Sequence, residues 1–222
     1  VANEKGFTVP TGVSAFDAAS WNGIAIDSTC GGYGTCKKCR IKVTTGDVEP
    51  SKLDYRAFTE SEIKEGWRLG CQLQVKQDMD IELDEELFGV KRWECEVISN
   101  ENVATFIKEL TLKRPEGEDV HFRAGGYVQL EIPPYECEYK DMDIQPEYRA
   151  DWEKFNLFSV KSKTTETTIR AYSMANYPDE KGLLKFNIRI ATPPLRQLNE
   201  IPPGKMSSYV FSLKPGDKIT VF

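Results

Sequence analysis

Four cysteines constrain this chain more than any other feature of its sequence. Cys30 is followed by five residues and Cys36, then by two residues and Cys39, and after thirty-one more residues by Cys71. Three thiolates on one tight loop, with a fourth arriving from a distant segment, can surround a two-iron cluster. Structural zinc usually takes two separated knuckles of paired cysteines, and only one knuckle is present. Gly31, Gly32 and Gly34 let the loop wrap through positive φ angles and bring backbone N–H groups towards the sulfurs, where hydrogen bonds tune a reduction potential. The plant-type spacing is one residue shorter between its first two cysteines, so this is a ferredoxin-like loop with an insertion. Cys30, Cys36, Cys39 and Cys71 are therefore the expected ligands of a 2Fe-2S cluster, with a zinc site or a group of buried thiols as the alternative.

The remaining pair, Cys95 and Cys137, has no partner at ligand spacing and is read as packing or loop thiols. Six cysteines in 222 residues are too few for a disulfide scaffold, which favours a reducing compartment. A formal charge of -6 argues against a nucleic-acid surface, which would need clustered Lys and Arg. No stretch approaches roughly eighteen consecutive apolar residues, and the first residues lack the basic-then-apolar layout of a signal peptide, so the chain is expected to be soluble.

The length allows two ordinary domains. In the first, Phe7 to Pro10 reads as a strand, and Ser14 with Asp17 three residues later reads as the cap of a short helix that Gly23 ends. Ile24 to Ile26, Arg40 to Thr44, Cys71 to Val75 and Met79 to Leu83 read as further strands, with a polar helix around Thr59 to Lys64. That order suits an α+β, β-grasp domain over residues 1–88. The acidic run Asp84-Glu85-Glu86 and Gly89 mark the junction.

From Trp93 the pattern changes to strands at Glu94 to Ile98, Ile107 to Leu112, Tyr127 to Ile132, Thr168 to Tyr172, Leu183 to Ile190 and Lys218 to Val221. Six strands with few helices predict a six-stranded antiparallel β-barrel over residues 89–222. The interval from Pro133 to Thr167 is too long for a plain loop and must carry an excursion or local structure. Within the barrel half, Arg170-Ala171-Tyr172-Ser173 ends a strand, and Gly204-Lys205-Met206-Ser207-Ser208 follows about thirty residues later. An Arg can bind phosphate bidentately, a Tyr can cover a ring system, and Ser hydroxyls with free N–H groups at a helix start can cradle a pyrophosphate.

These motifs resemble the FAD domain of the ferredoxin-NADP reductase superfamily. With Glu94 to Asn100, Ala104 to Leu110, Phe122 to Tyr127, Ile169 to Tyr177 and Arg189 to Pro194, the chain is similar along nearly its whole length to the family of F subunits of the sodium-translocating NADH:quinone oxidoreductases. By that resemblance Arg170 would contact the flavin phosphate, Tyr172 would flank the ring system, and Ser173 would lie near the reactive flavin nitrogen as the catalytic residue. Met206, Ser207 and Ser208 would hold the FAD pyrophosphate. The family begins with a transmembrane helix and ends with a nucleotide-binding domain. The 222 residues hold neither such a helix nor a Gly-rich dinucleotide fingerprint, so a fragment is expected.

The resemblance implies an oxidoreductase module on the cytoplasmic side of a bacterial inner membrane. It would receive electrons originating from NADH at FAD, carry them through the 2Fe-2S cluster and deliver them towards quinone by way of membrane subunits. By itself the fragment is expected not to oxidise NADH quickly. The cysteine half is also similar to ferredoxin domains of corrinoid-protein reductive activators. A soluble reductase feeding an oxygenase or corrinoid protein is therefore the alternative enzyme, and a ferredoxin with a flavin-free interaction domain the alternative binding protein. His121 is read as structural, the acidic run Glu136 to Glu153 as solvated, and Trp21, Trp67, Trp93 and Trp152 as packing anchors.

Overall fold

A computed structural model describes residues 5–83, 91–114, 117, 122, 125–198 and 200–222. The chain forms two compact units, Val1–Arg92 and Trp93–Phe222. The expected junction at 88 and 89 lies outside the described residues, as does His121.

In the first unit, α1 (Ala15–Trp21) starts where Ser14 accepts the Asp17 N–H, as the sequence predicts, and turns off at Asn22 and Gly23. Its Phe16 and Ala19 face an apolar core with Ile24, Ile26, Ile41, Leu69 and Leu73. Trp21, however, is exposed rather than an anchor. Strand β1 (Arg40–Thr45) buries Ile41 and Val43 on alternate positions. It is flanked by β2 (Trp67–Leu69) and β3 (Asp80–Glu82) in an antiparallel sheet of order β2-β1-β3. Between β1 and β2 lie the short helices α2 (Asp54–Ala57) and α3 (Glu60–Lys64). The second has a reciprocal cap, Thr59 accepting the Glu62 N–H while the Glu62 carboxylate accepts the Thr59 N–H. This is the β-grasp unit expected from the sequence.

Three expected strands are not strands here. Phe7 to Pro10 has no ladder, Ile24 keeps a single-residue bridge, and Cys71 to Val75 forms a turn with one bridge, Gln74 to Ser14. The true strand precedes Cys71, at Trp67–Leu69. The cysteine therefore sits just past a strand end, where the backbone can still turn.

The second unit contains all six expected strands: β4 (Trp93–Ala104), β5 (Ile107–Lys113), β6 (Tyr127–Ile132), β9 (Thr168–Ser173), β10 (Leu183–Arg189) and β11 (Lys218–Val221). They form one antiparallel sheet in the order β10-β5-β4-β11-β6-β9. Its two ends approach where the Ala175 N–H, just beyond β9, donates to the Lys185 carbonyl of β10 at 2.8 Å. The inner face buries Val97, Leu110, Leu112, Leu130, Leu184 and Phe186.

The long interval after Pro133 holds a hairpin of β7 (Tyr135–Glu138) and β8 (Lys161–Thr164), with α4 (Pro146–Lys154) between them. Trp152 of α4 is fully buried and stacks 6.0 Å from the Phe211 ring. It nucleates a second core with Tyr139, Met142, Leu157 and Ile190. Helix α5 (Lys205–Ser212) lies between the two cores, giving Met206 and Val210, with Leu213 just after its end, to the sheet core and Phe211 to the Trp152 core.

Candidate functional site

Sheet pairing carries Cys71 to the cysteine loop. Arg40 pairs with Leu69 across β1 and β2, and the ladder extends through the Gly70 N–H to the Cys39 carbonyl at 2.7 Å. Cys39 and Cys71 thus face each other from adjoining chain ends, with their sulfurs 3.3 Å apart. Cys39 is fully buried and the other three cysteines are half-buried.

The thiols interact as two linked pairs. Burial works against ionisation of Cys30, but backbone and side-chain donors of Cys36 and Thr35 outweigh it and draw its thiol down to about 6. Hydrogen bonding from Cys39, aided by the Gln72 amide and the Gly34 N–H and opposed by burial, lowers Cys71 to about 7. Cys39, as the donor to Cys71, is pushed up, and the Cys36 charge adds to the push. Cys30 also bears electrostatically on Cys71, so the four groups form one set. Cys95 and Cys137 stand outside it, and burial raises both thiols to about 11, the mark of inert packing groups.

Among the described residues no three Cys, His, Asp or Glu side chains converge on a single-ion position. A two-iron cluster does not ask for that. It needs two thiolate pairs, one for each iron, and Cys39 with Cys71, 3.3 Å apart, has the placement of one such pair.

The loop is held from beneath. Buried Ser28 accepts the Gly32 N–H at 3.1 Å, with its hydroxyl 3.9 Å from the Cys30 sulfur. The Gln72 amide donates to the Cys71 sulfur and to the Gly32 carbonyl, each at 3.4 Å. At Gly34, φ is +73°, and an added Cβ would stand 2.7 Å from the Leu53 side chain and 2.9 Å from the Gln72 amide, so a larger residue strains the backbone and displaces both side-chain ends.

In the second unit, β9 presents Arg170, Tyr172 and Ser173. The Arg170 guanidinium donates to the Ile169 carbonyl at 2.6 Å, half-buried Tyr172 packs on the sheet core, and Ser173 is exposed. Burial raises the Tyr172 phenol to about 12, while the nearby Arg170 pulls the other way. Helix α5 packs against β9, and its first intrahelical bond is from the Ser208 N–H to the Gly204 carbonyl. The N–H groups of Lys205, Met206 and Ser207 therefore have no acceptor within the helix, which suits them to a bound phosphate.

Gly204 is needed where it stands. A Cβ there would come 2.7 Å from Ala191 Cβ and 2.8 Å from Ser207 Oγ, and its N–H donates to the Ala191 carbonyl at 2.8 Å. The serine hydroxyls, expected from the sequence to help hold the pyrophosphate, also have partners within the protein. Ser207 Oγ accepts the Ala191 N–H at 3.0 Å and donates to the Gly204 carbonyl at 3.2 Å. Fully buried Ser208 shares a 2.7 Å bond with the Tyr139 hydroxyl. At this helix start the backbone is the available donor, and the hydroxyls fix its shape. A glycine directly before a helix start is the sequence signal for this close approach.

Residues 2–76 match the 2Fe-2S iron-sulfur cluster binding domain and residues 154–221 the oxidoreductase FAD-binding domain. The chain is 60% identical over its full 222 residues to the F subunit of Na(+)-translocating NADH-quinone reductase in Marinomonas sp. (strain MWYL1), covering 54% of that protein. It is 59% identical over the same length to the protein of the same name in Pseudomonas aeruginosa PAO1, again covering 54%. The chain thus spans about half the length of the curated relatives it matches. Among solved structures, the ferredoxin reductase in carbazole 1,9a-dioxygenase aligns with 95% of this chain and 55% of its own, at 21% identity and a TM-score of 0.47. A 2Fe-2S domain is followed by an FAD-binding domain in one chain. Among the described residues no helix is long and apolar enough to cross a membrane.

Proposed function

We propose that this chain, homologous along its whole length to the F subunit of the Na(+)-translocating NADH-quinone reductases, is the electron-transfer portion of an NADH:quinone oxidoreductase of that kind. The observation that carries the reading is the approach of Cys39 to Cys71 at 3.3 Å beside the Cys30 and Cys36 loop, in a chain that matches both a 2Fe-2S and an FAD-binding domain. When bound, the flavin supplies the conversion between two-electron and one-electron transfer, and the iron-sulfur centre supplies single-electron carriage.

The residues of the chain provide the binding. Cys30, Cys36, Cys39 and Cys71 are the cluster ligands, and the Gln72 amide and Ser28 hydroxyl set the polarity around two of the sulfurs. Arg170 engages a flavin phosphate, Tyr172 covers the ring system, and Ser173 is the polar group at the reacting edge. The N–H groups of Met206 and Ser207 hold the pyrophosphate, with the buried Ser207 and Ser208 hydroxyls bracing that turn. In the whole protein, NADH is the electron source. Quinone is reached through membrane subunits of a sodium-translocating complex on the cytoplasmic side of a bacterial inner membrane. The chain alone is expected to oxidise NADH slowly.

Anaerobic purification with iron, sulfide and flavin quantification tests the reading. Expected are one FAD and two irons per chain, and uptake of roughly three electrons in a reductive titration. Zinc in place of iron, or iron without flavin, sinks it.

A further inference from the structure

Lys108 is the one lysine on β5 that the sheet buries completely. It pairs with Asn102 of β4 on one side and Ile188 of β10 on the other. Its Nζ donates to the Phe211 carbonyl at 3.2 Å and lies 5.4 Å from the centre of the Phe211 ring. A buried ammonium is costly unless its position does something. Burial lowers this one to about 8, with the charge of Asp143 opposing that shift and the charge of Lys214 adding to it.

Phe211 is in the last turn of α5, where helix carbonyls lack intrahelical partners. Buried Asn100 of β4 serves the same turn, donating its Nδ2 to the Val210 carbonyl at 2.7 Å and to the Leu213 carbonyl at 2.9 Å. A cation and an amide on adjacent strands thus hold three carbonyls at one end of a helix. The other end presents the N–H groups of Lys205, Met206 and Ser207. The helix is eight residues long, on the order of 12 Å, and a rigid rod of that length passes a fixed tail directly on to its head.

We propose that Lys108 and Asn100 are positioning residues for FAD: by clamping the C-terminal turn of α5 to β4 and β5, they hold the N-terminal amides of that helix in place for the pyrophosphate. The inference rests on the assignment of the α5 N-terminus to the pyrophosphate. The positive charge of Lys108 also complements the negative end of the helix. Neither residue touches the flavin.

The test compares FAD with riboflavin, which has the ring system but no phosphate, in equilibrium titrations of the flavin-depleted protein with its cluster intact. Lys108→Met is expected to weaken FAD about 10-fold or more, the loss of one charge-assisted hydrogen bond, while riboflavin affinity and iron content stay at their original values. Lys108→Gln, which keeps a donor for the Phe211 carbonyl, should recover part of the loss. If Lys108→Met does not fold, Asn100→Ala reads the same FAD to riboflavin ratio. Equal weakening of both ligands means a general loosening of the sheet and overturns the proposal, as does unchanged FAD affinity. Gly204→Val separates the premise from the clamp. If it leaves FAD binding intact, the pyrophosphate assignment itself is wrong. If it abolishes FAD binding while Lys108→Met does not, the premise stands and the clamp fails.

Discussion

Asp54 accepts the backbone N–H of Leu69 on its Oδ1 at 2.7 Å, and the Ser51 N–H on its Oδ2 at 2.6 Å. The carboxylate is buried. It ties α2 to the last residue of β2, two positions before Cys71. Removing the acceptor would leave two N–H groups without a partner, one of them buried.

Asp54→Ala should therefore destabilise the first unit by roughly 2 kcal/mol or more, since an orphaned buried donor forfeits its desolvation energy. It should also loosen the segment that delivers Cys71. The measurement is urea denaturation followed by cluster absorbance, beside tryptophan fluorescence, because two units need not unfold together. A midpoint equal to that of the unaltered protein would show that Asp54 carries no such load.

Ligand and flavin variants should cross over. Cys71→Ser is expected to lower iron and sulfide content sharply and leave FAD content unchanged, because its effect stays within the first unit. Arg170→Ala should do the reverse, weakening FAD retention by about 10-fold for one charge-assisted phosphate contact while iron stays bound. Quantification of both cofactors in both variants checks this, and the opposite pattern would refute the site assignment.

Two glycines of the cysteine loop should respond unequally. Gly32 and Gly34 both have positive φ, but an added Cβ at Gly32 meets only Cys71 Cβ at 4.0 Å, whereas at Gly34 it meets Leu53 at 2.7 Å. Gly32→Ala should cost about 1 kcal/mol of backbone strain alone. Gly34→Ala adds a collision and should shorten the aerobic lifetime of the cluster more. Absorbance decay after exposure to air ranks them, and equal lifetimes would remove steric fit as the reason for Gly34.

What the sequence revealed and what it hid follow from the range of the interactions. The six strands of the second unit alternate or run apolar over enough residues for their period to be visible, and the Ser14 and Thr59 caps are local chemistry. The cysteine spacing was legible because ligand geometry leaves few ways to place four sulfurs. Cys71 to Val75 misled because its apolar residues face the core from a turn, which a period-two pattern imitates. The Pro133 to Thr167 interval could not be resolved because its helix is centred on one buried residue, Trp152, with little apolar periodicity around it. That the Ser207 and Ser208 hydroxyls also bond to Ala191 and Tyr139 was not legible, because nothing local announces those partners. Lys108 was hidden for the same reason. In Ile107-Lys108-Glu109-Leu110 it looks like an outward strand position, and the α5 carbonyl that its ammonium meets lies 103 residues away.

The burial of Lys108 has a signature in the pH dependence of stability. Burial holds the Lys108 ammonium at about 8 in the folded chain, against an ordinary value of 10.5 when unfolded. Between those values the unfolded chain binds a proton that the folded one has released, so this group makes stability rise with pH across that window. Integrated over the window, the gain is at most on the order of 3 kcal/mol. Tyr135 and Tyr172, both raised to about 12 by burial, act in the opposite sense above their ordinary value of 10.0, because the folded chain then holds the extra protons. Cys95 and Cys137, raised by burial from 9.0 to about 11, act in that same opposing sense from pH 9, so the clean interval is pH 8 to about 9, and the clean quantity is a difference. Denaturation of the flavin-depleted protein and of Lys108→Met should give stabilities whose gap shifts in favour of the unaltered chain as pH rises through that interval. A gap that does not change with pH would mean that the Lys108 ammonium keeps its ordinary affinity for the proton despite its burial against Phe211.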